Sequence, residues 1–240
     1  MVGAVVIIPT YNEIENIEPI IRAVFSQSNE IHILVVDDNS PDLTGKKVED
    51  LQNDYPNRLF LETRTKKSGL GTAYIHGFKW CIDKKYDYIF EMDADFSHNP
   101  SDLPKLYKTC HNDGADMSIG SRYVTGVNVV NWPMGRVLLS YVASKYVRLI
   151  TGMKIHDTTA GFVCYKRIVL ETINLDKIKF IGYAFQIEMK FKTYLKKFKI
   201  TEVPVIFTDR TRGESKLSGG IISEAIFGVI SMKIKSLFTK

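Results

Sequence analysis

Short apolar runs alternate along the chain with stretches whose apolar positions recur at helical spacing. Residues 4–8 are apolar throughout and stop at Pro9, the pattern of a strand buried on both faces. From 15 to 26 the apolar positions are Ile17, Ile20, Ile21, Val24 and Phe25, which share one side of a helix. The alternation continues with strands over 31–36, 58–63, 86–92 and 115–120. Helices are predicted between them over 42–54, 72–83 and 101–112, the last with Ser101 as its N-cap. Strand–helix alternation through short connections predicts an α/β fold, a mostly parallel sheet covered by helices on both faces. No repeat, low-complexity stretch or Pro/Gly/Ser-rich linker divides residues 1–240, so they read as a single domain.

Two later segments are apolar but broken by charge. Residues 137–150 contain Lys145 and Arg148, and residues 221–238 contain Glu224, Lys233 and Lys235. Neither offers the ~18 uninterrupted apolar residues of a membrane span, and both read as amphipathic helices. The first is expected to pack on the core. The second, about 218–240, is a candidate for lying on a membrane surface. The N-terminus has no basic region or cleavage site of a signal peptide. Cys81, Cys110 and Cys164 lie far apart without CxxC spacing, so they read as reduced, intracellular and mostly packed thiols.

The net charge of +5 is too small to imply nucleic acid as a partner. Its distribution changes the picture. Residues 177–240 hold 13 basic and 5 acidic residues, so the excess lies near the C-terminus. Lys190 to Lys199 read as a solvated basic surface. Arg210 and Lys216 read otherwise, because they fall in a glycine-containing loop between a strand over 203–208 and the last helix. Arg136 adds a cation just before the first amphipathic helix.

Candidate chemistry follows strand ends. Pro9-Thr10-Tyr11-Asn12-Glu13, Asp37-Asp38-Asn39-Ser40 and Asp93-Ala94-Asp95 each close a predicted strand. Ligands of open α/β sheets bind at that edge. Two carboxylates at i and i+2 repel each other, and a divalent cation relieves that repulsion while its remaining positions take water or phosphate oxygens. Asp93 and Asp95 therefore read as a metal–diphosphate grip. Asp38 is placed to accept hydrogen bonds from a base or ribose, while the same Asp-Asn-Ser-Pro-Asp run is also strong turn chemistry. The glycines of residues 66–72 would allow close backbone approach to a ligand, and its lysines could meet phosphate. No GxGxxG, GxxxxGK[ST] or GxSxG is present, which argues against a dinucleotide oxidoreductase, a P-loop NTPase and an α/β-hydrolase. The five histidines show no ligand spacing, although His98 stands out by lying three residues after Asp95.

PTYNE, VVDDNSPD, GLGTAYIHG, EMDADFSHNP, GSRY, NWPMGR, DTTAGF and RTRGESKL follow one another in that order. This series resembles the family 2 inverting glycosyltransferases of the GT-A (Rossmann-like) fold, and more narrowly the polyprenyl-phosphate (dolichol-phosphate) mannose synthases. The likeness runs from Val5 to about Leu217. It implies GDP-mannose as donor, a polyprenyl or dolichyl phosphate in a membrane as acceptor, and Mg²⁺ or Mn²⁺ as cofactor. By the same resemblance, Pro9, Tyr11, Glu13, Val36 and Asp38 hold the nucleoside. Asp93, Ala94 and Asp95 meet the diphosphate, Asp93 and Asp95 binding the metal. Ser97 stands where some members carry a glutamine ligand. Arg122 sits at the donor phosphates and is, with Asp95, the implied catalytic residue. Arg136, Arg210 and Lys216 grip the acceptor phosphate. The expected place of work is the cytoplasmic face of a membrane, peripherally bound, with a separate anchoring subunit as a further expectation. A UDP-glucose or UDP-GlcNAc transferase is the alternative within the fold, and a non-catalytic membrane-surface scaffold the alternative outside it.

Overall fold

A computed structural model describes residues 1–182, 184–209 and 220–238, without the side chains of 220–225. The strands are β1 (Ala4–Thr10), β2 (His32–Asp37), β3 (Leu59–Thr63), β4 (Tyr88–Glu91), β5 (Met117–Ser121), β6 (Val129–Val130), β7 (Val163–Lys166), β8 (Ile200–Pro204) and β9 (Phe207–Thr208). The helices are α1 (Ile14–Phe25), α2 (Thr44–Leu51), α3 (Leu70–Asp83), α4 (Leu103–His111), α5 (Met134–Thr151), α6 (Arg167–Thr172), α7 (Ala184–Leu195) and α8 (Gly220–Phe238).

Seven strands form one sheet in the order β3-β2-β1-β4-β7-β5-β8. All neighbours are parallel except β7, which runs antiparallel to both β4 and β5. β6 and β9 pair in a small separate ribbon. Alternate residues of β1 enter opposite layers, as the period of two requires. Val5 and Ile7 pack with α3, α6 and α7 through residues such as Phe78, Val169 and Phe185. Ala4, Val6 and Ile8 pack with α1, α2 and α4 through Ile17, Val48 and Leu106. That two-sided burial explains the uninterrupted apolar run. Gly77 lets α3 settle on β1, since a Cβ there would lie 2.9 Å from Ile7.

Several boundaries move for identifiable reasons. β1 continues through Pro9 to Thr10. The proline's missing N–H faces the β4 side, beyond the end of β4 at Glu91, so no ladder bond is lost. Ser101 is not the N-cap of α4. Asn99 accepts the Ser101 N–H, a short 3₁₀ turn over Pro100–Asp102 follows, and α4 starts at Leu103. The strand expected over 203–208 divides between β8 and β9. β7, α6 and α7 carry no clear pattern of their own in the sequence.

The largest departure is α5. It does not bury its apolar side in the core: only Ser144, Val147 and Thr151 are buried. Leu138, Leu139, Val142 and Leu149 are exposed, Leu149 at 82%. α8 packs on α5 and α7, with Tyr146 donating to the Ile226 carbonyl at 3.0 Å. α8 exposes Phe227, Ile234, Leu237 and Phe238 in turn. All three cysteines are buried and free.

Candidate active site

The C-terminal ends of β1, β2, β3 and β4 meet at one edge of the sheet. Thr10 is level with Asp37, and Asp37 with Thr63. Asp37 turns inward: it accepts the Thr10 hydroxyl at 2.8 Å and the Ser40 N–H and hydroxyl at 2.9 and 2.6 Å. The loop so fixed caps a neighbouring helix. Ser40, Thr44 and Asp42 accept the N–H groups of Asn12, Glu13 and Ile14 at 3.0, 3.0 and 3.1 Å. Those of Glu13 and Ile14 are among the orphan donors that open α1. The turn-and-cap chemistry of the DDNSPD run is thus used across elements, and it sets Tyr11 and Glu13 beside the end of β2.

Asp38 is bound by Arg64, the residue directly after β3. The guanidinium forks the carboxylate at 2.5 and 2.7 Å, and its third nitrogen donates to Thr72 Oγ1 at 2.8 Å. Bidentate Arg–carboxylate pairs fix orientation as well as charge, so Arg64 locks the ends of β2 and β3 to the start of α3. Lys67 lies over the Tyr11 ring, 4.4 Å from its centre. Val36 is wholly buried between β1 and β3, its side chain in the α3 layer. The glycines of the 66–72 segment serve packing where ligand approach was expected. A Cβ at Gly71 would lie 2.7 Å from Phe185, and the Gly71 N–H donates to the Ile181 carbonyl at 2.9 Å.

Asp93 and Asp95 follow β4 at the same edge. Asp93 receives the Tyr74 hydroxyl at 3.3 Å, from a phenol that burial first, and nearby carboxylates second, push well above its ordinary pKa. Asp95 is buried and accepts the Ser97 N–H at 3.0 Å, in a turn where Phe96 takes a positive φ of 62°. Ala94 and Ser97 are buried. His98 fixes the turn from below: its Nδ1 accepts the Asp93 N–H at 3.0 Å, which assigns the ring proton to Nε2. Burial holds His98 neutral, its pKa pushed down to about 4. The ring stacks on Phe162 at 4.9 Å. Among the described residues no three His, Cys, Asp or Glu side chains gather to hold a metal by themselves. An all-oxygen set of two carboxylates and one hydroxyl fits a hard divalent cation that completes its shell with water and phosphate.

Arg122 follows β5 and is itself buried. Its Nε and Nη2 donate to the Asp157 carboxylate at 2.7 and 2.6 Å, its main-chain N–H adds a third bond at 2.9 Å, and Nη2 reaches Thr159 at 2.9 Å. Burial raises the Asp157 pKa, but the Arg122 charge and hydrogen bonds outweigh it and leave the carboxyl below its ordinary value. The aromatic rings of Tyr123, Trp132 and Phe207 surround the guanidinium at 5.2 to 5.3 Å. Arg136, in the first turn of α5, pairs with Asp209 at 2.6 Å and lies 3.9 Å from the centre of the Trp132 ring. Arg210 and Lys216 lie outside the described residues.

The sequence reading missed Arg64, Tyr74 and Asp157. Arg64 had a usable signal, a cation directly after a strand end. Asp157 lay in a quoted motif, but nothing local paired it with Arg122. Lys190 is the clearest correction. It is not on a solvated basic surface; it is fully buried, because residues Ala184 to Phe191 of α7 are all covered.

Three comparisons bear on this geometry. The glycosyl transferase family 2 model matches residues 5–173. The chain is 46% identical over 230 residues to a polyprenol monophosphomannose synthase of Mycolicibacterium smegmatis, covering 96% of this chain and 86% of that protein. It is 44% identical to an undecaprenyl-phosphate mannosyltransferase of Micrococcus luteus, covering 93% and 90%. In fold it is similar to glucosyl-3-phosphoglycerate synthase from Mycobacterium tuberculosis, solved with Mn²⁺, UDP-glucose and phosphoglyceric acid. That match has a TM-score of 0.71 at 16% identity, over 97% of this chain and 79% of the other.

Proposed function

The chain belongs to glycosyltransferase family 2, and we propose that it transfers mannose from GDP-mannose to a polyprenyl phosphate with inversion at the anomeric carbon. The observation that carries this reading is the near full-length identity to polyprenyl-phosphate mannosyltransferases, combined with two aspartates at the end of a buried parallel strand. Pro9, Tyr11, Glu13, Val36 and Asp38 would form the nucleoside end. Asp93 and Asp95, with Ala94 between them and Ser97 beside them, would hold Mg²⁺ or Mn²⁺ against the diphosphate. When bound, that ion supplies positive charge to the leaving GDP.

The acceptor is already a phosphate anion, so no side chain has to remove a proton from it. The work left to the chain is positioning and charge stabilisation. Arg122 would act at the donor phosphates from a guanidinium that Asp157 has already oriented. Arg136, Arg210 and Lys216 would receive the acceptor phosphate through charge-assisted hydrogen bonds.

The proposed place of work is the cytoplasmic face of a membrane. No helix among the described residues is long and apolar enough to cross one. The paired helices α5 and α8 instead expose apolar residues, Leu138, Val142 and Leu149 on the first and Phe227 and Leu237 on the second. α5 carries Arg136, Lys145 and Arg148 and no acidic residue. Apolar burial with flanking cations is how a helix pair lies on an anionic bilayer. Arg136 lies in the first turn of α5, beside Asp209 and Trp132, where a lipid phosphate would arrive.

Radiolabelled mannose should pass from GDP-mannose to a short polyprenyl phosphate, and chelation of divalent ions should stop it. Thermal stabilisation by GDP-mannose should exceed that by UDP-glucose or UDP-GlcNAc. Stabilisation by the UDP-sugars alone would transfer the assignment to a UDP-sugar enzyme. Strong vesicle binding without affinity for any nucleotide sugar would leave a scaffold. Vesicle binding by the isolated chain would remove the need for an anchoring subunit.

A further inference from the structure

Lys190 is the one fully buried lysine among the described residues. A buried ammonium is costly unless it is hydrogen-bonded and its charge balanced. Lys190 meets both conditions in a particular direction. Its Nζ donates to the Ala160 carbonyl at 2.5 Å, and to Oε1 and the main-chain carbonyl of Gln186 at 3.3 and 3.4 Å. Gln186 Nε2 donates to Glu91 Oε2. Glu91 is itself fully buried, with Tyr165 beside it.

The result is a chain of contacts from Ala160 through Lys190 and Gln186 to Glu91. Its two ends lie in the segments that build the site. Glu91 is two residues before Asp93, and Ala160 is three residues after Asp157, the partner of Arg122. A second path runs beside the first. A Cβ at Gly161 would lie 3.6 Å from His98 and 3.7 Å from Gln186 Nε2, and His98 accepts the Asp93 N–H. Buried ion pairs are often replaced by apolar residues without loss of stability, so holding α7 on the sheet does not by itself call for this network. What apolar packing would not supply is a directional link between the strand end and the 157–161 segment.

We propose that Lys190, acting through Gln186, is a positioning residue that sets the spacing between the strand end bearing Asp93 and Asp95 and the segment that orients Arg122. The inference rests on the reading of that edge as the metal–diphosphate site. It touches neither donor nor acceptor directly.

The test compares the wild-type chain with Lys190→Met, Gln186→Leu and the double variant. Mn²⁺ binding in the presence of GDP is read by electron paramagnetic resonance of the free ion, beside kcat, KM and Tm. Both single variants should bind Mn²⁺ with GDP roughly 10- to 100-fold more weakly, the usual consequence of losing a group that orients metal ligands. The double variant should be no worse than the weaker single one, because the two residues lie on one path. Folded single variants that bind within twofold of wild type, or losses that multiply in the double variant, would overturn the proposal and leave a purely structural lysine. If Lys190→Met does not fold, Gln186→Leu decides by the same measure. A wild-type chain that binds no Mn²⁺ with GDP overturns both the site reading and this inference. Binding by wild type and variants alike overturns the inference only.

Discussion

The two halves of the site handle charge in opposite ways. In the first, up to Asp95, the polar residues stand at the ends of parallel strands and are fixed by main-chain N–H groups and neighbouring loops. Ser97 N–H holds Asp95, Ser40 holds Asp37, and Tyr74 reaches Asp93. In the second, the decisive charges are cations held by residues distant in sequence: Arg122 by Asp157, and Lys190, through Gln186, by Glu91. Charges at a strand edge remain available to a ligand, whereas a charge as deeply sealed as that of Lys190 can only orient others. The second half also carries its apolar surface outward on α5 and α8, where the first buries its apolar residues on both sides of the sheet.

The comparison is broken hardest at Asp157. Asp157→Ala leaves the Arg122 charge uncompensated in the interior and should cost about 3–5 kcal/mol of stability, measured by urea unfolding at pH 7. The pH dependence has a definite sign. The folded pKa of Asp157 lies below its unfolded value of 3.8, so its contribution is present above that value. It is lost as pH falls through the folded pKa, because there the unfolded chain binds more protons. The stability difference between wild type and variant should therefore shrink only below pH 3.8. A difference that is constant through the acid range would deny the ion pair its role. Asp95→Asn belongs to the other half and should behave oppositely. Activity should fall by roughly 10²-fold or more at saturating metal, while Tm moves little. A large loss of stability with activity retained would reverse the contrast.

A smaller effect is expected on the outer face. Val142 and Leu149 are 58% and 82% exposed, so Val142→Glu with Leu149→Glu removes no core packing. Each should forfeit on the order of 1–2 kcal/mol of burial in a bilayer. Sedimentation with anionic phosphatidylglycerol vesicles should drop more than tenfold while GDP-mannose affinity is unchanged. Unaltered sedimentation would mean that this face does not meet the lipid.

What the sequence made legible follows the same division. Buried parallel strands print as apolar runs, so β1 to β5 and the clusters after them could be located from local pattern alone. The antiparallel insertion of β7 could not, since Val163–Lys166 is a short segment whose place depends on strands far away in the chain. Lys190 looked like its neighbours because helical spacing does not reveal which polar positions another element will cover. α5 misled for the complementary reason: an apolar stripe reads the same whether it is to meet a core or a lipid. Asp157 and Arg122 were both within quoted motifs, but only the fold brings residues 35 positions apart into contact.

Ser97 separates main-chain from side-chain contributions within one residue, and gives the smallest expected effect. Its N–H holds Asp95 Oδ1 at 3.0 Å, and alanine keeps that bond. The hydroxyl is what the resemblance offers as a metal ligand. Mg²⁺ and Mn²⁺ shells readily substitute water for a neutral oxygen, so losing the hydroxyl costs far less than losing a carboxylate. Ser97→Ala should therefore raise the metal concentration for half-maximal activity only a few-fold and leave kcat nearly unchanged at saturation. Ser97→Pro removes the N–H as well and should approach the defect of Asp95→Asn. If alanine alone were as damaging as proline, the hydroxyl would be the principal hold on the site, and the account of a strand edge organised by its own main chain would fail at its centre.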